Sequence, residues 1–436
     1  MNIVEVDSSL SGSPAVSRER VLCDKLFVTG LILVLLFGTY WRLPASLFVA
    51  RQAPLQALGA LRGEPGFTAI GFDEELYRTY VQGLIQGGLG AYPSIAQDYV
   101  EAQTGIKMAL LPPTRFLYIF SAYAWHSVSG ADAITSLLAI SSLFSVLLLF
   151  LATVFSWRLG GGNVALGVAA LMACSPMQIH MGQHALIDGF FAFWATCCLW
   201  LLWENLRRPG NRRLLVLYVL ALASIVVTKE NAMFTYIGLL VVLALNYWVG
   251  FGKVTRELVG CTVLGPLLGL VILIFLCGGV DTFVQTYRLL VTKASALPFA
   301  IATGDGPWYR YLTDLLLLSP FVLLLAVGKV FRLQWTNKPE LFLVIFVCAT
   351  YAVMCNVRYG MNLRYADIWD MPLRYLAVVA IGDLASQFRR HRSAVAAGLV
   401  TGLSLLDLRQ YNILFVKGGL YELVPAGLLH ALHIVK

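Results

Sequence analysis

Apolar runs close to the length of a membrane span recur from Leu26 to about residue 408, and no other feature of the chain limits its fold so tightly. A helix needs roughly 20 mostly apolar residues to cross a hydrocarbon core of about 30 Å. Runs of that kind lie at residues 26–41, 132–157, 164–179, 188–206, 214–228, 231–249, 258–278, 311–330, 340–356, 368–386 and 394–408. A soluble chain covers its surface with charge, usually about 25% of residues, whereas only 13% are charged here and 58% are hydrophobic. The expectation is an all-α polytopic membrane protein of about 11 transmembrane helices.

The net charge of +8 raises the question of nucleic acid, but the basic residues stand in small groups between apolar runs. That pattern sets membrane orientation and is not a binding stripe. Basic groups precede the first run and follow the second, fourth, sixth, eighth and tenth. With eleven alternating spans they fall on one face, which the positive-inside rule makes cytoplasmic. Residues 1–25 are then cytoplasmic, 26–408 form the membrane domain, 42–131 make a long outward loop and 409–436 a C-terminal tail. The first residues lack a charged region followed directly by an apolar core and cleavage site, so no cleaved signal peptide is expected. The cysteines show no CxxC pair and read as small apolar residues.

The outward loop is too organised for a plain linker. Leu76, Tyr77, Tyr80, Val81, Leu84 and Ile85 recur at helical spacing with polar residues opposite, an amphipathic helix suited to the membrane surface. A second, aromatic segment runs from Arg115 to His126 after Pro112-Pro113; it is too short to span and suits the interface.

Polar residues gather on the same outward side. Asp73 and Glu74 stand at the mouth of the first surface helix, where Asp73 reads either as an N-cap or as a catalytic acid. Asp188 opens the fourth run, and an ionisable group at the lip of an apolar span points to function. His180, His184 and Asp188 are spaced four apart and would share a face if one helix carried all three. A divalent metal on His184 and Asp188 is one reading of that face, ordinary interfacial histidines the other. Lys229-Glu230-Asn231 is either a self-neutralising turn or a cation facing a substrate cavity. Arg310, Arg358, Arg364 and Arg374 are each followed by Tyr, and they lie on the wrong side for a topogenic role. They suit an anionic phosphate near the headgroups, or anchorage in anionic lipid.

In order, Phe72-Asp73-Glu74, the Pro-Pro step, Ser175-Pro176, the outward Asp188, Thr228-Lys229-Glu230-Asn231, GPWYRY at Gly306–Tyr311 and NLRY at Asn362–Tyr365 resemble the membrane glycosyltransferases of the protein O-mannosyltransferase and lipid A aminoarabinose transferase type, the GT-C fold. The resemblance covers about residues 25–386. It implies transfer of a sugar from a polyprenyl- or dolichyl-phosphate carrier, with inversion and without a nucleotide sugar, to a lipid, glycan or protein acceptor. It makes Asp73, with Glu74 beside it, the loop-one acid that serves as base or orients the acceptor, and Asp188 the second outward aspartate. Arg364 becomes a ligand of the carrier phosphate, with Lys229, Tyr309 and Arg310 as further substrate contacts. Many relatives have Lys just before the Pro pair; here Leu111 precedes it, which leaves Arg115 and Lys107 as alternatives. No cofactor is required outright. The implied place is the plasma (inner) membrane, with the site facing the exterior or periplasm. A transporter or flippase is the main rival, but such proteins tend to show internal repeats and charges near the midplane, and here the polar residues collect at one interface. A non-catalytic envelope subunit is a third reading, and retention of every expected acid argues against it.

Overall fold

The computed structural model describes residues 14–44, 46–49, 55–59, 67, 69–107, 109–296, 304–357, 361–424 and 426–432. Among the described residues there are helices and turns but no strand. Among the described residues, five helices are long and apolar enough to cross a membrane: Lys25–Arg42 within the longer helix Pro14–Arg42, Ala133–Gly160, Ile187–Arg207, Ala232–Val249 and Arg256–Leu276. A sixth arises if the bent pair Gly162–Ala173 and Pro176–Gln183 is one span. The protein is an integral membrane protein, although the expected count of 11 spans is not confirmed. Helices do occupy the remaining predicted runs, at Arg212–Thr228, Lys338–Met354, Asp370–Ala385 and Arg392–Tyr411. The predicted run 311–330 is instead divided into Arg310–Leu318 and Pro320–Val330. Proline at 320 has no N–H to continue the helix, and it pushes Ser319 out of the helical region, to φ −142°, ψ 68°.

The bend between Ala173 and Pro176 has the same cause and a further support. Ser175 caps the second half, accepting from the Gln178 N–H at 3.3 Å. The carbonyls freed at the end of the first half are taken by buried arginines. Arg42 donates to Met172 O at 2.6 Å and to Ala173 O at 3.2 Å, and Arg374 to Leu171 O at 2.9 Å. Broken helices survive at membrane depth only where such partners exist.

Two other packing features position the site. Helices Arg212–Thr228 and Arg256–Leu276 lie so close that a Cβ on Gly265 would meet Leu222 at 2.5 Å, and one on Gly269 would meet Val226 at 2.7 Å. Glycines one turn apart permit this approach. The segment between the first and second predicted runs contains the two predicted surface helices, Phe72–Gly87 and Phe116–Ser129, and a third between them, Tyr92–Gly105. The apolar face of Phe72–Gly87 is turned to protein: Tyr77, Tyr80, Val81 and Leu84 are buried with Tyr118, Ile119, Leu137 and Phe190. That packing fixes the start of the helix over the mouth of Ile187–Arg207.

Candidate active site

The first turn of Phe72–Gly87 divides its acids between two tasks. Gly71 is the N-cap and accepts no side-chain substitute, because a Cβ there would fall 2.2 Å from the Tyr421 ring. Glu74 closes a capping box: one oxygen accepts from the Gly71 N–H at 2.6 Å. Its other oxygen accepts from the Ala185 N–H at 2.6 Å and lies 3.3 Å from His184 Nδ1. Burial would raise this carboxyl, but the His184 contact and the two backbone donors hold it below its ordinary range. Glu74 therefore clamps the surface helix to the turn before Ile187–Arg207. Asp73 is not the N-cap that its position allowed. Its Oδ2 accepts from Arg364 Nη1 at 2.9 Å, and it keeps about a fifth of its side chain exposed, 21%.

Arg364 is placed by the NLRY segment. The Asn362 side chain accepts from the Arg364 N–H at 2.9 Å and caps the short 3-10 turn Leu363–Trp369. Burial alone would lower the guanidinium, but Glu422, Asp73 and Asp188 hold it well above its ordinary value. Beside it Lys229 Nζ donates to Asp188 Oδ1 at 2.5 Å, both side chains being buried. The ammonium also stands 4.1 Å from the centre of the Tyr365 ring, a cation–π contact. Burial pulls Lys229 below its ordinary value even though Asp188 opposes the change. A third pair lies alongside. Arg115 meets Glu230 through two hydrogen bonds, the shorter 2.5 Å, and donates to the Tyr77 hydroxyl. Tyr365 stands in the field of Arg364, Arg115, Glu230 and Asp188. Segments far apart in sequence thus bring three cation–carboxylate pairs around two tyrosines. Such a set can hold an anion on its cations and accept a proton on a carboxylate.

Residues 116–291, less than half of the chain, match the model of the dolichyl-phosphate-mannose-protein mannosyltransferase family. Among solved structures, the chain resembles the oligosaccharyltransferase AglB of Archaeoglobus fulgidus in complex with an inhibitory peptide and a dolichol-phosphate. The TM-score is 0.55 at 12% identity, over 92% of this chain and 56% of that one. The apo form of the same protein gives 0.55 at 13% identity, again over 92% and 56%. The chain thus spans little more than half the length of AglB. ArnT of Cupriavidus metallidurans bound to undecaprenyl phosphate matches with a TM-score of 0.48 at 13% identity, over 89% of this chain and 75% of that one. No curated protein sequence matches. The chain has the GT-C fold of these membrane enzymes.

Not every residue expected at the site joins the cluster. Arg310 is buried and turned to its own neighbourhood, donating to Asp305 O at 2.8 Å with Asp314 3.6 Å away. Arg374 pairs with Asp370 and Asp407 inside the bundle. Tyr309 is exposed and stacks edge-on with Trp308. Lys107 is exposed, and among the described residues no hydrogen bond or ion pair ties it to the cluster. Arg358 lies outside the described residues. His180, His184 and Asp188 do not share one helical face, because the helix ends at Gln183 and His184 is extended. His184 faces Glu74 while Asp188 faces Lys229. No group of three or more His, Cys, Asp or Glu suited to a metal converges among the described residues.

Sequence reasoning missed two residues of the tail. Glu422 Oε1 lies 3.5 Å from Arg364 Nη2, and the Tyr421 ring packs on Phe67 and His184. The one available signal was the polar Tyr421-Glu422 step inside an apolar stretch, Gly419–Pro425.

Proposed function

We propose that the protein transfers a sugar from a polyprenyl-phosphate carrier to an acceptor hydroxyl or phosphate at the outer face of the membrane, with inversion at the anomeric carbon. The observation that carries this reading is the 2.9 Å contact between Asp73 and Arg364, which joins a carboxylate and a phosphate-binding fork 291 residues apart. The dolichol-phosphate in the AglB complex supports a lipid phosphate as the ligand of the cationic cluster. For a hydroxyl acceptor, the O–H bond breaks as its oxygen attacks the anomeric carbon, and Asp73 takes the proton. The bond from that carbon to the phosphate oxygen breaks, and its electron pair leaves with the phosphate. Arg364, with Lys229 and Arg115 behind it, stabilises the charge that develops there. Asp188 holds Lys229 in place, and Glu74 holds the helix that carries Asp73.

The reading places the protein in the inner membrane, and the positive-inside pattern supports an outward-facing site. The transporter alternative is not favoured, since the family match is to a transferase. The test is incubation of the purified protein with polyprenyl-phosphate sugars, reading release of free polyprenyl phosphate. Release that depends on acceptor and on Asp73 supports the proposal; no release with any donor and acceptor class refutes it.

A further inference from the structure

Glu422 reaches Arg364 from the opposite end of the chain. The Arg364 side chain is only 7% exposed, and each of its nitrogens is used differently. Nη1 is on Asp73 at 2.9 Å and Nη2 faces Glu422 Oε1 at 3.5 Å. Nε is buried with no partner among the described residues. A buried donor left unpaired is costly, and one on a guanidinium is suited to an anion with several oxygens. The Glu422 contact is long for a charge-assisted bond, which is normally about 2.7–2.9 Å. Glu422 is also the more open partner, at 26% exposed. Asn362 Nδ2 steadies its other oxygen at 3.3 Å.

The segment that carries Glu422 is anchored beside this contact. The Tyr421 carbonyl lies 2.7 Å from His180 Nε2, and its ring fills the space over Gly71. Its hydroxyl is buried without a partner among the described residues. Before it the chain passes through Gly419 at φ +58°, a conformation that favours glycine. The Glu422 carboxylate therefore rests on a weak, half-open contact at the end of a well-held segment.

We infer that Glu422 is an affinity-setting residue that competes with the donor phosphate for Arg364. The inference rests on the donor reading above. An arriving phosphate displaces the carboxylate from Nη2 and engages Nη2 and Nε together, while Asp73 remains within reach of Nη1. After transfer, the returning carboxylate helps to expel the free polyprenyl phosphate, which carries more charge than the donor did. The tail thereby limits product retention at the cost of donor affinity.

The test measures undecaprenyl phosphate binding and release by the full-length protein in lipid nanodiscs. Glu422→Gln should bind roughly tenfold more tightly, the scale of one modest charge contact, and release the ligand more slowly. That gain should vanish when Arg364→Gln is added, because the competition is for Arg364. Unchanged or weaker binding by Glu422→Gln overturns the inference, as does a gain that persists undiminished without Arg364, which would be a general charge effect. A measurement on the unaltered protein guards against a variant that fails to fold. Undecaprenyl phosphate should speed hydrogen exchange at residues 420–424, and slower or unchanged exchange is equally fatal. If the wild type binds but Glu422 has no effect, the donor assignment stands and this inference falls. If the wild type and every variant fail to bind, both fall.

Discussion

Replacing Asp73 by Asn alters one charge while leaving most of the local geometry intact. The side chains are nearly isosteric, and the amide oxygen can still accept from Arg364 Nη1 where Asp73 Oδ2 does at 2.9 Å. The helix start does not depend on this residue, because Gly71 and Glu74 form the cap. The structural cost is therefore an ion pair becoming a hydrogen bond from the Arg364 guanidinium to a neutral amide oxygen, about 1 kcal/mol or less. Solvent reaches a fifth of the Asp73 side chain, which reduces that figure further. The catalytic cost is of another order. A lost general base typically lowers turnover by ~10²–10⁴-fold, or about 3–5 kcal/mol in the barrier. Donor binding should hold or improve, since a carboxylate near an anionic phosphate contributes no attraction. Thermal unfolding, polyprenyl phosphate binding and polyprenyl phosphate release, measured on one preparation, separate these terms. A well-folded Asp73→Asn protein that transfers sugar at the wild-type rate would remove Asp73 from the chemistry.

Arg364→Lys keeps the charge but loses the planar fork, so transfer should fall at least tenfold with little change in expression; wild-type turnover would reduce Arg364 to an electrostatic bystander. Lys229→Met leaves Asp188 buried without its partner and should destabilise the protein by about 3–5 kcal/mol. Adding Asp188→Asn should recover much of that loss, and denaturation of both variants checks it. For topology, a cysteine at exposed Ser94 should be labelled by an impermeant reagent from outside and one at exposed Pro209 should not. Pro209 is preferable to Asn211, whose side chain caps the next helix. The reverse pattern would put Asp73 in the wrong compartment.

Local chemistry made part of this site legible in the sequence. The apolar stripe from Leu76 to Ile85 announces a surface helix whatever it packs against, and an acid at its mouth stands out in an apolar chain. Lys229 and Arg364 are conspicuous for the same reason, as charges beside spans. Other roles depend on contacts that no local pattern encodes. Arg310 and Arg364 have the same Arg-Tyr signature, yet Arg310 meets Asp314 one turn along its own helix while Arg364 meets Asp73. Asp73 had the composition of an N-cap, and Glu74 took the capping role through its reach to Gly71 and Ala185. Glu422 was invisible because its partner is 58 positions earlier in the chain and reached only by tertiary folding. The break within the run 311–330 was hidden for the opposite reason: hydropathy averages over the Ser319-Pro320 step, which the backbone cannot ignore.

The bend at Ser175-Pro176 implies an order of assembly. Its freed carbonyls are capped by Arg42, which enters the membrane with the first helix, and by Arg374, which is synthesised some two hundred residues later. Until Arg374 arrives, Leu171 O lacks that donor, and an unmet carbonyl in hydrocarbon costs several kcal/mol. A nascent chain is therefore expected to keep this segment straight, or near water, and to set the bend only when the helix Asp370–Ala385 docks. A chain truncated before Asp370 should show rapid hydrogen exchange around residues 171–178 where the full chain shows slow exchange. Equal protection in both would mean that the bend forms without its late partner. Asp188, paired with Lys229, follows that bend closely in sequence, so the charged cluster around Arg364 would be among the last parts of the molecule to mature.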